Sequence, residues 1–370
     1  MVLILDLTDS LFLTSVYILL MIEIDGSIGE GGGQVLRVSL ALSALTREAV
    51  TIKNIRANRT NPGLRSQHLT AIRAVAAVTA AKVSGLTIGS SEISFSPGPR
   101  HGGTFHFDVK TAGSTTLILQ ALLPVLAFAD QRSSVTLIGG TNNPLAPQAD
   151  YVINVLNPVL ASMGFLYQLD LVKRGFYPRG GGLIHVSTEP VDVLHPVNTV
   201  KMGSPRGIRG ISHARNLPVH VVKRQADAAI KSCSRAGYKN ISIVRDAGQK
   251  AESHSTGSGI VLWAETSTGG RLAGDALGAR GKPAEQVGGE AAAGLLAQLS
   301  IGAPFDAHLG DQLIIWLALA KGRSRIKTTK LTLHAVTAMK VTETLTGCQF
   351  KTGGEIGMPG IIQCLGGVAL

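Results

Sequence analysis

A histidine placed just ahead of a helical run, a turn crowded with arginines and two glycine-rich stretches are the parts of this sequence best suited to handling phosphate. His334 closes the alternating run Lys330-Leu331-Thr332-Leu333 and is followed by AVTAM, which has helical spacing. An imidazole titrates near neutrality, so a neutral ring exposed at such a strand-to-helix corner can attack phosphorus through Nε2. A buried, hydrogen-bonded core histidine is the other reading that one His leaves open. The stretch NIRANRTNPGLRSQH (54–68) sets Arg56, Arg59, Arg65 and His68 around an Asn-Pro-Gly turn. Forked guanidiniums suit bidentate contacts to phosphate, whereas lysines would serve if solubility alone mattered. A solvated basic loop is the alternative there.

The run GEGGGQ (29–34) offers backbone N–H groups ahead of a helix, which suits a phosphate cradle as well as a plain strand-to-helix turn. It is not a dinucleotide fingerprint, because Gln34 stands where a third glycine belongs. Nor is there a P-loop, since Gly281-Lys282 is followed by Pro283. In DAHLGDQL (306–313) the spacing puts Asp311 and Gln312 at a helix start, where an aspartate can cap the helix or face Mg²⁺ or a ribose. RGFYPRGGG (174–182) holds more glycines than a hairpin loop needs, which predicts close approach by another backbone or by a ligand.

These residues need a scaffold, and the composition describes one. The chain has 370 residues, 45% of them hydrophobic and only 4% aromatic, with 44 glycines. That length exceeds what one core usually supports, so two structural units or an internally repeated one are expected in an α/β chain. The net charge of +11 favours an anionic partner, with phosphate or nucleic acid ranking above a membrane surface. Cys233, Cys348 and Cys364 are widely spaced, which argues against a zinc site or a disulfide framework and for a reducing intracellular compartment, nuclear or cytoplasmic. Residues 1–20 carry Asp6 and Asp9, no basic segment and no cleavage site. They read as an N-terminal extension rather than a signal or a membrane span, and the first strand is expected at Ile22.

A common order of events recurs along the chain. GGGQVLRVSLALSAL, AVTIKNIRA and GLRSQHLTAIRAVAAVTA are echoed by AGSTTLILQALLPVLAF, SSVTLIGG and APQADYVINVLNPVLASMG. A third pass reads DQLIIWLALA, RIKTTKLTLH and AVTAMKVTETLTG. Helix, strand, helix and trailing short strands repeat at a period of roughly 80 residues between the first two copies, the signature of an internally repeated α/β domain. The segment 203–303 does not fit the period and reads as an inserted smaller α/β domain, leaving 21–202 and 304–370 as the large one. His334, the stretch from Arg56 to Asn61 and that from Gly140 to Asn143 then occupy the same corner of the three copies.

Taken together, DGSIGEGGGQVLR, NPGLRSQHL, TAGSTTLILQALLP, GGTNNPLAPQADY, RGFYPRGGG, HLGDQL and TLHAVTA closely resemble the RNA 3′-terminal phosphate cyclases, over nearly the whole chain from Ile22 to Leu370. The resemblance implies a large domain of three βαβαββ units with a thioredoxin-like insert. It also implies ATP and Mg²⁺ as requirements and an RNA ending in a 3′-phosphate as substrate. His334 matches the family's adenylated histidine and Gln120 its ATP-contacting glutamine. The second nucleotide segment falls on His308, Leu309, Gly310, Asp311 and Gln312. Glu30 matches a position near nucleotide and metal, and Arg37, Arg56, Arg59 and His68 match residues near the phosphates. Two departures are the first twenty residues and His308, where the family often has tyrosine.

Rival readings come from other classes. Cyclase-like ribosome-assembly factors share the fold without the nucleophile, which this chain retains. A generic basic RNA-binding protein would leave the arginine and glycine blocks unexplained, and carboxyvinyl transferases offer a likeness of fold only.

Overall fold

A computed structural model of the protein describes residues 21–248 and 253–367; the N-terminal extension read from residues 1–20 lies outside them. The chain begins with β1 (Ile22–Asp25), α1 (Gly33–Thr46), β2 (Val50–Lys53), α2 (Ser66–Thr79), β3 (Lys82–Ser84) and β4 (Ile93–Ser96). These strands form a sheet in the order β1-β2-β4-β3, with β1 and β2 parallel and the other pairs antiparallel. A second run follows: β5 (Thr104–Asp108), α3 (Thr115–Ala127), β6 (Ser133–Gly139), α4 (Ala149–Tyr151) continued through a π-helical turn (Val152–Leu156) into α5 (Asn157–Ser162), β7 (Tyr167–Lys173) and β8 (Gly182–Thr188). Its sheet order, β5-β6-β8-β7, and its strand directions repeat those of the first.

After β9 (Asn198–Thr199) the chain leaves to build β10 (Pro205–Arg215), α6 (His220–Arg235), β11 (Ile241–Asp246), β12 (Gly257–Thr266), β13 (Arg271–Leu277) and α7 (Ala284–Ile301). It returns through α8 (Ala307–Leu319), β14 (Ser324–Thr328), α9 (Leu333–Thr346), β15 (Phe350–Gly353) and β16 (Gly360–Cys364). The returning strands pair with β9 in the order β15-β16-β14-β9, again with one parallel and two antiparallel pairs. The segment from β10 to α7 has its own sheet, β11-β10-β12-β13, and its own apolar cluster around Ile208, Ala229, Ile260, Leu262 and Leu295.

Period-two alternation makes the strands one-sided. Val50, Ile52, Ile326 and Ile362 point inward, against Leu36, Leu40, Ile72, Leu122, Ile314 and Leu317 of the helices. Burying one such side chain contributes about 1.5–3 kcal/mol, so the shared core fixes where each helix begins. Among the described residues no helix is long and apolar enough to cross a membrane.

The strand expected to end on His334 stops earlier. β14 closes at Thr328, and Thr332 caps α9 by accepting a hydrogen bond from Ala335 N at 3.0 Å. His334 therefore stands in the first turn of α9. The alternation of residues 330–333 is an extended approach, pinned where Leu331 N donates to Met358 O at 2.7 Å.

The motif at 174–182 holds the inserted segment in place. Arg174 is buried and donates to both oxygens of Asp150 at 2.5 and 2.9 Å and to Asp246 of β11 at 3.1 Å. The close approach expected at its glycines is by backbone. A Cβ at Gly180 would lie 2.7 Å from Ala112 Cα, and one at Gly175 would lie 2.2 Å from Gly182 N. Beside Arg174, fully buried His213 has Nε2 at 3.0 Å from Gln148 Oε1. Burial, followed by the charge of Arg174, pushes its pKa down to about 3.

A folded-state pKa below the ordinary value of 6.5 means the unfolded chain takes up a proton first. Stability therefore falls as pH drops from about 6.5 toward 3, by about 1.4 kcal/mol per pH unit for this group. Denaturant titrations should accordingly show His213→Gln losing about 2 kcal/mol less than the parent between pH 6.5 and 5. Equal losses would mean that His213 does not stay neutral in the folded state.

Candidate active site

The N-termini of α1, α2 and α9 converge with the sides of α3 and α8 on a cavity of about 1380 Å³. The loop 143–147 and residues 275–279 at the end of β13 complete its wall. Glycine lets the backbone of α1 come this close. A Cβ at Gly33 would lie 2.6 Å from His68 Nε2 and 2.9 Å from Arg37 Nη1, and one at Gly32 would lie 2.9 Å from Arg59 Nη2. The N-cap of α1 is Gly32, with no side-chain hydrogen bond to the first turn, so its leading N–H groups remain available to an anion.

His334 is 41% exposed at the floor of this cavity. Its Nδ1 lies 2.5 Å from Gln34 Oε1, a carbonyl that accepts a proton carried on Nδ1; in the neutral ring with that tautomer the lone pair is on Nε2. Nε2 faces Glu30 Oε2 at 3.0 Å, an ion pair only when the ring carries a second proton. Burial lowers the His334 pKa, the Glu30 charge opposes that, and Arg37, Arg59 and His308 add to the lowering. The net direction keeps the ring neutral at pH 7, the state a nucleophile requires.

Around the imidazole stand cations with differing degrees of freedom. Arg37 Nε donates to Gln120 Oε1 at 3.0 Å, and among the described residues no carboxylate pairs with it. Burial pushes its pKa down to about 10. A desolvated, unpaired guanidinium is costly by itself and favours an anion beside it. Arg59 Nη2 is 3.3 Å from Glu30. Arg56 has a left-handed φ of 56° and donates through Nη1 to Asn61 O at 2.6 Å and Gly63 O at 2.9 Å, so part of its guanidinium serves the turn. His68 is buried, with its pKa pushed down to about 3 by burial and then by Arg37, Arg56 and Arg65. Its Nδ1 accepts from Arg65 N at 3.1 Å, which leaves the Nε2 proton as a neutral donor beside Gly33.

The DAHLGDQL block is arranged differently from its sequence expectation. Asp306 is the N-cap of α8 and accepts from Leu309 N at 2.9 Å, so Asp311 and Gln312 lie one turn further on and face the cavity. Asp311 accepts a hydrogen bond from the Thr332 hydroxyl, tying α8 to the cap of α9, the helix that carries His334. Burial, opposed by that hydrogen bond, pushes its pKa up to about 7. Gln312 Nε2 donates to His308 O at 3.3 Å, while its buried Oε1 has no partner and can accept from a ligand donor. His308 lines the cavity. Leu309 and Gly310 do not; Leu309 is buried in the core and Gly310 packs on Thr328 of β14.

The structure thus brings Glu30, Arg37, Arg56, Arg59, His68, Gln120, His308, Asp311, Gln312 and His334 to one cavity. Sequence reasoning missed Gln34 as the partner of His334, having weighed it only as a misfit in a glycine fingerprint. Its place in the first turn of α1 was the available signal. The contribution of residues 275–279 arises from tertiary packing and leaves no local pattern.

Comparison with known proteins bears on the chain as a whole. Residues 28–352 match the family model for RNA 3′-terminal phosphate cyclase. The RNA 3′-terminal phosphate cyclase of Methanothermobacter thermautotrophicus is 48% identical, over 93% of this chain and all of its own length. Those of Desulfurococcus amylolyticus and Thermococcus kodakarensis are each 46% identical, over 94% and 92% of this chain and 98% and 97% of theirs.

Proposed function

The chain belongs to the RNA 3′-terminal phosphate cyclase family, and we propose that it uses ATP to convert an RNA 3′-phosphate into a 2′,3′-cyclic phosphate through AMP carried on His334. The observation that supports this reading best is the imidazole whose Nδ1 lies against Gln34 and whose Nε2 lies beside Glu30 in a cavity that Arg37 and Arg59 also line.

In the first step Nε2 attacks the α-phosphorus of ATP. The N–P bond forms as the bond to the pyrophosphate oxygen breaks, and pyrophosphate leaves. Gln34 accepts a hydrogen bond from Nδ1–H throughout, which stabilises the positive charge growing on the ring. The RNA 3′-phosphate oxygen then attacks the same phosphorus and releases Nε2. Finally the 2′-hydroxyl attacks the RNA phosphorus, its proton passes to a base, and AMP departs.

Nucleotidyl transfer asks a protein for alignment and charge neutralisation above all. Arg37, Arg59 and the free N-terminus of α1 supply both, while Gln120 orients Arg37. Glu30 is the carboxylate that would hold Mg²⁺, an ion that neutralises phosphate charge and is often bound through one carboxylate with substrate phosphates and water.

We also read 21–202 with 304–370 as a large domain of three βαβαββ repeats, and 203–303 as a thioredoxin-like insert. The shared strand orders and the separate apolar cluster support that division.

The function is tested with an RNA labelled in its terminal phosphate, incubated with ATP and Mg²⁺. The label should become resistant to phosphatase, with one AMP and one pyrophosphate released per end. Label that stays phosphatase-sensitive while ATP is consumed would reject the proposal.

A further inference from the structure

The outer faces of the three related sheets form an internal comparison. On the first, the outward positions of β2 are Thr51 and Lys53, and Lys53 Nζ is paired with Glu23 at 2.6 Å. On the second, β6 presents Ser134 and Thr136, which contact His185 of β8 at 3.4 and 3.3 Å. The third face departs from both. Its strand β14 presents Arg325 and Lys327 between buried Ser324, Ile326 and Thr328. The register sets Arg325 beside Gln363 of β16, and Gln363 beside Lys351 of β15. Among the described residues none of Arg325, Lys327 and Lys351 has a carboxylate partner.

The chain that carries these cations leads straight to the nucleophile. From Thr328 it runs through Leu331, whose carbonyl accepts from Gly357 N at 2.8 Å and whose N–H donates to Met358 O. The β15–β16 turn is thereby fixed beside the approach to His334. That turn exposes Ile356 and Met358 by 57% and 56%, and Leu333, adjacent to His334, by 36%. Exposed apolar side chains on the approach to His334, on the same stretch of chain as unpaired cations, match a strand that alternates bases with charges.

We propose that the rim formed by Leu333, Ile356 and Met358 and the cationic outer face of the third sheet carry the RNA strand immediately upstream of the reacting 3′ end. Bases pack on the apolar rim, where methionine adapts to any base. Phosphates then meet Lys327, Arg325 and Lys351. The two residues of β14 repeat along the strand at about 6.6–6.8 Å, a spacing that suits a polyanion with regularly placed charges. The recognition is independent of sequence, since backbone charge and apolar packing carry no base code.

This track rests on the reading of the protein as an RNA cyclase, and its test is separable from that reading. The full chain carrying Arg325→Gln, Lys327→Gln and Lys351→Gln is compared with the parent. Salt-dependent anisotropy is recorded without ATP on an RNA of about 16 nucleotides ending in a 3′-phosphate, a length within the usual span of single-strand sites. The variant should bind about tenfold more weakly, and the slope of log affinity against log salt should fall by about 2, as expected for three lost phosphate contacts. Met358→Ser should weaken binding and leave the slope unchanged.

Labelling of His334 by ATP and the KM for a dinucleotide 3′-phosphate should stay at parental values in both variants. Unchanged affinity and slope for the longer RNA would overturn the proposal, as would an equal loss with the dinucleotide. A parent that binds RNA with the expected slope yet never becomes adenylated would instead remove the cyclase reading and leave the track standing.

Discussion

Replacing His334 by alanine is expected to abolish covalent labelling by α-labelled ATP and to lower cyclisation by about 10⁴-fold or more, because the proposed reaction carries the nucleotide on that imidazole. The parent should hold an acid-labile label, as a phosphoramidate does. His334 is half-exposed in the first turn of α9, so its loss leaves the core intact and the variant should unfold at the parental temperature. Retention of label by the variant would place the nucleophile elsewhere. Gln34→Leu sharpens the test: it removes the acceptor that holds the proton on Nδ1, so labelling should slow while the label remains on the same residue. An unaltered labelling rate would mean that Gln34 does not govern which nitrogen is bare.

The second large effect is expected at Arg37. Methionine there keeps much of the side-chain volume and removes the desolvated charge, and the loss of a preorganised phosphate partner should lower adenylation by about 10²–10³-fold. Stability should move the other way. With no carboxylate paired to it among the described residues, Arg37 pays desolvation until a phosphate arrives, so Arg37→Met should unfold at the same or a higher temperature when ATP is absent. ATP should then raise the unfolding temperature of the parent more than that of the variant. A variant that unfolds earlier without ATP while retaining its activity would show that the guanidinium is structural. Lysine should rescue poorly, since it lacks the fork that reaches Gln120 and a phosphate together.

Much of this was legible along the chain because the relevant signals are local. Alternation and helical spacing marked the strands and helices. The arginines of the Asn-Pro-Gly turn and the glycines before Gln34 announced their chemistry by type, and His334, Arg56, Arg59 and His68 meet at one cavity. The misplacements have physical causes. Extended loops alternate as strands do, which made residues 330–333 look like part of β14. Asp306 and Asp311 are both credible caps by spacing, and only Asp306 is oriented to accept from Leu309 N. Arg174, read within a glycine-rich motif, is absorbed by two carboxylates from distant parts of the chain. The approach of residues 275–279 to the cavity depends on that docking and on Gln148, which donates to Asp275 at 2.7 Å.

The third sheet carries a consequence for how the chain comes off the ribosome. β9 pairs in parallel with β14, yet everything from β10 to α7 is synthesised between them. At about 5–20 residues per second, the first two sheets and the intervening one have time to form while β9 waits without its neighbour. The segment bearing His334 is thus completed last, so a nascent chain that ends before α9 holds Arg37, Arg56 and Arg59 but lacks the imidazole that faces them across the cavity.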